Sequence, residues 1–200
     1  MRAVLRFVAS VMMVSGVLLI ADAALTLSWQ EPVSAFFQSR EQAKLRRELR
    51  HPPPRIFRLK PLKGDAIGEI ELPAIHKTAF VVQGTDTDSL RKGPGHYPDT
   101  PLSGKHGTVA IAGHRTTHGA PFRHIDDLKP GDRIVLAMPY GTFVYRVEKS
   151  RIVDPGDTAV KRRVGYDRLI LSACHPLYSA AQRIIVFARF VRRERARVAR

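Results

Sequence analysis

The stretch Gly107-Thr-Val-Ala-Ile-Ala-Gly-His114 alternates residue by residue, with Val109 and Ile111 on one side and Ala110, Ala112 and His114 on the other. A period of two is the mark of a β-strand that turns one face to a core. On either side of it, from about residue 67, the chain breaks into short apolar and β-branched runs separated by turn residues. These fall at 68–73, 79–83, 107–113, 133–138, 143–149, 151–153, 168–174 and 183–191. That spacing predicts an all-β domain, a sandwich or a barrel. Lys129-Pro-Gly-Asp132 and Pro139-Tyr-Gly141 place Pro and Gly where tight turns use them. Short helices fit only near 86–91 and 121–128, and the chain shows no internal repeat.

The amino-terminal third reads differently. Residues 7–21 carry no charge and the apolar character continues to Trp29. A hydrocarbon core of about 30 Å needs about 20 residues of helix, so 7–29 is expected to be a transmembrane anchor with 1–6 cytoplasmic and Trp29 at the far interface. Ala21-Asp22-Ala23 has the small-x-small form of a signal cleavage site, which keeps a cleaved leader open. Arg2 and Arg6 are answered by Arg40, Lys44, Arg46 and Arg47, so basic residues do not choose the orientation. Residues 34–50 are good helix formers and predict a polar helix leaving the membrane. His51-Pro-Pro-Pro54 ends it and makes 51–65 an extended spacer, so that 30–65 is a stalk helix and Pro-rich linker, 66–191 the folded domain and 192–200 a basic tail.

The net charge is +15, and eleven of those charges fall in 40–63 and 192–200, outside the part of the chain that could shape a groove. This argues against a nucleic-acid reader and for attraction to membrane lipids or an anionic wall polymer, beside the plainer reading of solvated flanks.

Cys174 is the one cysteine. In an exported domain it cannot be half of an intramolecular disulfide, which leaves a buried inert thiol, an accident, or chemistry. Leu169-Ile-Leu-Ser-Ala-Cys174-His-Pro176 reads as a strand running into a break, with the sulfur at its end. A thiolate needs a cationic or proton-accepting neighbour. His114 ends its own strand behind Gly113, a residue that leaves room for another backbone or a substrate. His175 is a rival base, but neighbours along a strand point to opposite faces. His118 is the weaker rival. Arg183 lies nine residues past the cysteine, where a short loop returns it as the adjacent strand, and a guanidinium there could stabilise an oxyanion. Singly, each of these also reads as an ordinary exposed or hydrogen-bonded residue.

Thr108-Val-Ala-Ile-Ala-Gly-His114-Arg115, Leu171-Ser-Ala-Cys174-His-Pro and Ser179-Ala-Ala-Gln-Arg183-Ile-Ile-Val together resemble, in the same order, the three signatures of the sortases. The resemblance covers about 66–191 and is greatest to class E, with class D as runner-up; Gly119-Ala-Pro-Phe122 and Leu128-Lys-Pro-Gly-Asp132 also resemble the class E segment after the histidine. It implies the eight-stranded sortase-type β-barrel, preceded by one N-terminal transmembrane helix, with the catalytic domain outside the cell. It further implies a cysteine transpeptidase with Cys174 as nucleophile, His114 as proton carrier and Arg183 as electrostatic stabiliser. Arg115, Ser172, Ala173 and Tyr178 are expected to contact substrate. Many members carry Thr where this chain has Ala173, which points to a difference in specificity there. The implied partners are surface proteins bearing a Leu-Pro-x-Thr-Gly or Leu-Ala-x-Thr-Gly sorting signal and a peptidoglycan-precursor amine, with no metal or organic cofactor. Three other readings stand beside it. An L,D-transpeptidase would show Ser-His-Gly-Cys, which Ser172-Ala-Cys-His is not. A pilin-polymerising class C enzyme usually has a second anchor after the domain, and a non-enzymatic wall- or lipid-binding protein would leave the spacing of the three residues to chance.

Overall fold

A computed structural model of the chain describes residues 2–28 and 32–196. Eight strands close into a barrel: β1 (Ala66–Leu72), β2 (Lys77–Gln83), β3 (Gly95–His96), β4 (Thr108–Ala112), β5 (Arg133–Met138), β6 (Gly141–Val153), β7 (Arg168–His175) and β8 (Gln182–Glu194). Around the barrel the order is β1-β2-β3-β4-β7-β8-β6-β5, with β5 pairing back onto β1. The β4–β7 and β2–β3 pairs are parallel and the others antiparallel.

The barrel matches the expected fold, with two changes in how its eight strands are made. The runs at 143–149 and 151–153 are one strand, β6, whose pairing with β8 shifts register at Val144/Tyr145 and Val147/Lys149. Such bulges break the period-two pattern without ending the strand. The eighth strand is instead β3, two residues long in a turn-rich segment. β8 also runs on to Glu194, so Arg192 and Arg193 pair with β6 and are not part of a loose tail.

The strands sort their side chains by period two. Val109, Ile111, Leu169, Leu171, Ala173, Ile184 and Val186 fill the barrel interior with Phe122, Phe143 and Leu136. Ala110, Ile170, Ile185 and Phe187 form a smaller apolar layer on the outer face of the same wall, covered by Tyr97 and Val160. This outer face carries the site.

The amino-terminal helices behave in two ways. Helix α1 (Arg2–Ser28) contains Arg2–Ala24, which is long and apolar enough to cross a membrane. Trp29 lies outside the described residues. Helix α2 (Pro32–Arg50) does not stand off from the barrel. Its buried stripe is Gln38, Leu45 and Leu49, and the two leucines pack on Ala66 and Val82. Burying one such leucine contributes roughly 1.5–3 kcal/mol. Gln42 accepts from the Phe80 N–H at 2.7 Å and donates to the carbonyls of Phe80 at 3.0 Å and Lys92 at 2.7 Å. The expected extended spacer is likewise docked. It forms the short helix α3 (Pro54–Phe57), buries Ile56 completely in the barrel core and pairs Arg55 with Asp65 at 2.7 Å. Pro at the start of a helix costs nothing, because that N–H has no partner there. Helix α4 (Thr87–Lys92) begins at Asp86, whose carboxylate accepts from the Ser89 N–H.

Candidate active site

β4 and β7 run parallel with Ala112 beside Ser172. The Gly113 N–H donates to the Ser172 carbonyl at 3.0 Å, continuing the ladder past the end of β4. The same register carried two residues beyond Ala112 sets His114 level with Cys174. Across the other edge of β7, Cys174 is the direct antiparallel partner of Arg183. Directly opposed residues share a face. Counting by twos from the outward Ile170 and Ile185 puts Cys174 and Arg183 outside the barrel. The thiol therefore sits between a histidine-bearing and an arginine-bearing chain segment, partly exposed and not in a disulfide.

The His114 ring stacks on His118, with centroids 5.0 Å apart and planes at 28°. Burial, and then the neighbouring His118, hold its pKa below the usual histidine value, so the imidazole is neutral at pH 7 and able to accept a proton. The loop that carries the pair is tight, with positive φ at His118, Gly119 and Ala120. The Phe122 N–H closes it on the His114 carbonyl at 3.0 Å. A Cβ on Gly113 would lie 2.5 Å from the Phe122 ring, which is fully buried. The space at Gly113 is thus taken by Phe122 and not by a second backbone or a substrate.

Arg183 is directed by its own turn: Nη1 donates to the Ala180 and Gln182 carbonyls, both at 2.9 Å. Nε and Nη2 remain for a ligand, since a guanidinium has five donors. His175 follows Cys174 on β7 and so projects to the other face, as expected from alternation. Its Nδ1 lies 3.5 Å from Arg115 Nη1, and because a guanidinium only donates, that nitrogen is an acceptor.

The remaining expected contacts divide. Ser172 is buried on the Cys174 face beside Ala112. Tyr178 is exposed at the rim, its hydroxyl accepting from Arg123 Nη2 at 3.0 Å. Ala173 is corrected: period two turns it into the barrel core, 3% exposed, so its side chain does not line the outer groove. Arg115, also expected to contact substrate, has a buried side chain ion-paired with Asp126 at 2.6 Å. Two contributions escaped the sequence reading. The stacking of His118 depends on a loop with consecutive positive φ that no residue pattern announces. The docking of α2 is the other: Ser34 Oγ accepts from the His118 N–H at 3.2 Å, and a cleft of about 590 Å³ lined by α2 and α4 reaches the same histidine. Among the described residues no group of three or more His, Cys, Asp or Glu could hold a metal ion.

A partly exposed thiol, a neutral imidazole and a fixed cation on adjoining chain segments are groups that thiol-dependent acyl transfer can use. A family model described as the Sortase domain matches residues 70–191. The chain belongs to the sortase family, whose members are cysteine transpeptidases. It is 37% identical over 136 residues to sortase D of Bacillus subtilis, covering 66% of this chain and 67% of that one. It is 30% identical over 144 residues to sortase SrtE1 of Streptomyces coelicolor, covering 64% of this chain but only 41% of the relative. The crystal structure of S. coelicolor sortase E1 with a tripeptide in its active site superposes with a TM-score of 0.62 at 27% identity, over 65% of this chain and 90% of that one. A Clostridium perfringens sortase D5 transpeptidase shares the fold with a TM-score of 0.67 at 24% identity, over 78% and 98%. Classes D and E are thus both represented among its relatives.

Proposed function

We propose that the protein cleaves a carboxy-terminal sorting signal of the Leu-Pro-x-Thr-Gly or Leu-Ala-x-Thr-Gly type and joins the released carbonyl to a peptidoglycan-precursor amine. The observation that carries this is the strand order: Cys174 on β7 lies directly opposite Arg183 on β8, and His114 follows the end of β4, which flanks β7 on its other side. In the first half-reaction neutral His114 takes the thiol proton as the Cys174 sulfur attacks the scissile carbonyl. Arg183, with donors to spare, faces the oxyanion that develops. The C–N bond breaks as His114 returns the proton to the departing glycine amine, leaving a thioacyl enzyme. In the second half-reaction the acceptor amine attacks the thioester, His114 takes its proton, and the sulfur departs to be reprotonated. The product is an amide, so the bond energy of the cleaved peptide is conserved through the thioester.

The length and apolar character of α1 support a single-pass anchor, and membership of the sortase family supports an amino terminus in the cytoplasm with the barrel outside, where sorting signals and wall precursors are met. The exposure of Tyr178 at the rim supports its contact with a peptide crossing the outer face of β7, the face on which Ser172 lies buried. Incubating the protein with a panel of sorting peptides and reading the thioacyl adduct on Cys174 by mass spectrometry tests the substrate class. The expected result is an adduct with one of the two motifs and none for Cys174→Ala. Retained cleavage by Cys174→Ala would sink the assignment.

A further inference from the structure

Arg115 follows the histidine directly, yet it is among the most buried charged residues described, at 4% exposure. Each of its donor nitrogens has an acceptor inside the protein. Nε and Nη2 both donate to the Arg123 carbonyl, at 3.2 and 3.1 Å. Nη2 also meets the Asp126 carboxylate at 2.6 Å, on a 3₁₀ turn (Ile125–Asp127) whose Ile125 is fully buried. Nη1 reaches across to β7, donating to the Cys174 carbonyl at 3.4 Å and to His175 Nδ1 at 3.5 Å. Four acceptor atoms in five contacts thus engage all three nitrogens of the guanidinium.

The position of this fork matters more than its burial. The last backbone bond of the β4–β7 ladder is the one from Gly113 to Ser172. His114 and Cys174 both lie beyond it, one on a loop and one at a strand end, where regular pairing no longer fixes their separation. Arg115 bridges that gap. It grows from the residue after the imidazole, is held by a turn anchored in the core, and touches the carbonyl of the residue that carries the thiol. A lysine cannot do this, because a single ammonium lacks the planar fork needed to meet acceptors on three segments at once.

We propose that Arg115 is a positioning residue that holds His114 and Cys174 in register, a clasp between the loop bearing the imidazole and the strand end bearing the thiol. Asp126 is its counter-ion and orients the fork. This rests on the reading of Cys174 and His114 as the reacting pair.

The test uses the full chain in detergent, with Arg115→Met, Arg115→Lys and Asp126→Asn beside the wild type. Three quantities are read: kcat and KM on a sorting peptide, the rate of Cys174 alkylation by iodoacetamide at pH 7 with no peptide present, and the thermal midpoint. Misplacing a reacting group by about 1 Å costs on the order of 100-fold in rate. Arg115→Met is therefore expected to lower kcat roughly 100-fold with KM changed by less than about twofold, and to slow alkylation about tenfold. Arg115→Lys should recover part of the loss. Asp126, 44% exposed, can be changed without emptying the core, and Asp126→Asn should lower kcat about tenfold if Arg115→Met does not fold. A raised KM with kcat intact would make Arg115 a substrate contact and overturn the proposal. So would wild-type kcat and alkylation in the folded variants. Should the wild type turn over no sorting peptide, the functional reading fails, while the clasp still stands or falls on the alkylation rates.

Discussion

The two ends of β7 hold similar residues in opposite conditions. At its start, Arg168 is 9% exposed, donates to Thr108 Oγ1 at 3.0 Å and to the carbonyls of Val160 at 2.8 Å and Arg162 at 2.9 Å, and lies 5.3 Å above the Phe187 ring. Next to it Asp167 accepts from the Gly107 N–H at 2.8 Å. At its far end, Cys174 is partly exposed and Arg183 is bonded only to carbonyls of its own turn. One ladder thus joins an end where polar groups are committed to fixed partners and an end where they keep donors and lone pairs for something that arrives. Removing a group of the first kind strands buried acceptors, so it serves stability; a group of the second kind is left available for the chemistry proposed above. Arg115 crosses the division: it is bonded like Arg168 but lies beside Cys174.

The largest effect should come from breaking the uncommitted end. His114→Ala is expected to lower kcat/KM on the order of 10³-fold, within the range that general acid–base groups supply, while His175→Ala lowers it less than about tenfold. A His175→Ala protein as inactive as His114→Ala would show that strand alternation does not decide the base. A paired measurement on the two arginines sharpens the contrast. Arg183→Met should cut kcat roughly 100-fold and leave the thermal midpoint within a few degrees. Arg168→Met should lose about 3 kcal/mol of stability in urea titration and keep wild-type turnover per folded molecule. If both arginines lost turnover alike, the two ends would not be doing different jobs.

The smallest effect concerns a third committed group. His96 on β3 is buried, with Nδ1 2.9 Å from Gln83 Oε1 and Nε2 3.2 Å from the Pro101 carbonyl, and burial lowers its pKa to about 4. Because the folded pKa lies below the unfolded one, the unfolded chain takes up the proton first as pH falls. Stability from this site is complete above about pH 6.5 and is lost as pH drops toward 4, with about 2 kcal/mol gone between pH 7 and pH 5. Urea titrations at the two pH values should show that loss in the wild type and a flatter dependence in His96→Gln. Equal slopes would mean that another group sets the acid limit.

Much of this was legible because the decisive wall is regular. Val109 and Ile111 against Ala110 and Ala112, and the same alternation through Leu169–Cys174, place two strands and their outward residues from pattern alone. The same rule, applied one residue further, would have turned Ala173 inward. The expectation that it meets substrate rests on the resemblance to the sortases, which compares residue types and does not show a side chain's direction. Burial by polar side chains was equally hidden. Gln38 and Gln42 share the contact face of α2 with Leu45 and Leu49, so the helix reads as polar although it is docked. Arg115 reads as a surface cation because nothing in the order of residues says that Asp126 and the carbonyl of Arg123 will converge on it. In the Pro-rich segment a single buried residue, Ile56, replaces a spacer with an anchor. At β3 the pairing is imposed by neighbouring strands on a Gly-His dipeptide with no preference of its own.

The amide of Gln42 occupies the outer edge of β2 as one residue of a missing strand would, giving and taking a hydrogen bond at Phe80. Uncovered strand edges invite pairing between molecules. A fragment cut at the first residue of the barrel would bare that edge together with the apolar seat of Leu45 and Leu49, and would empty the place of Ile56 in the core. A piece of this chain that keeps both the edge covered and the core filled therefore starts with α2, at Pro32, not at Ala66.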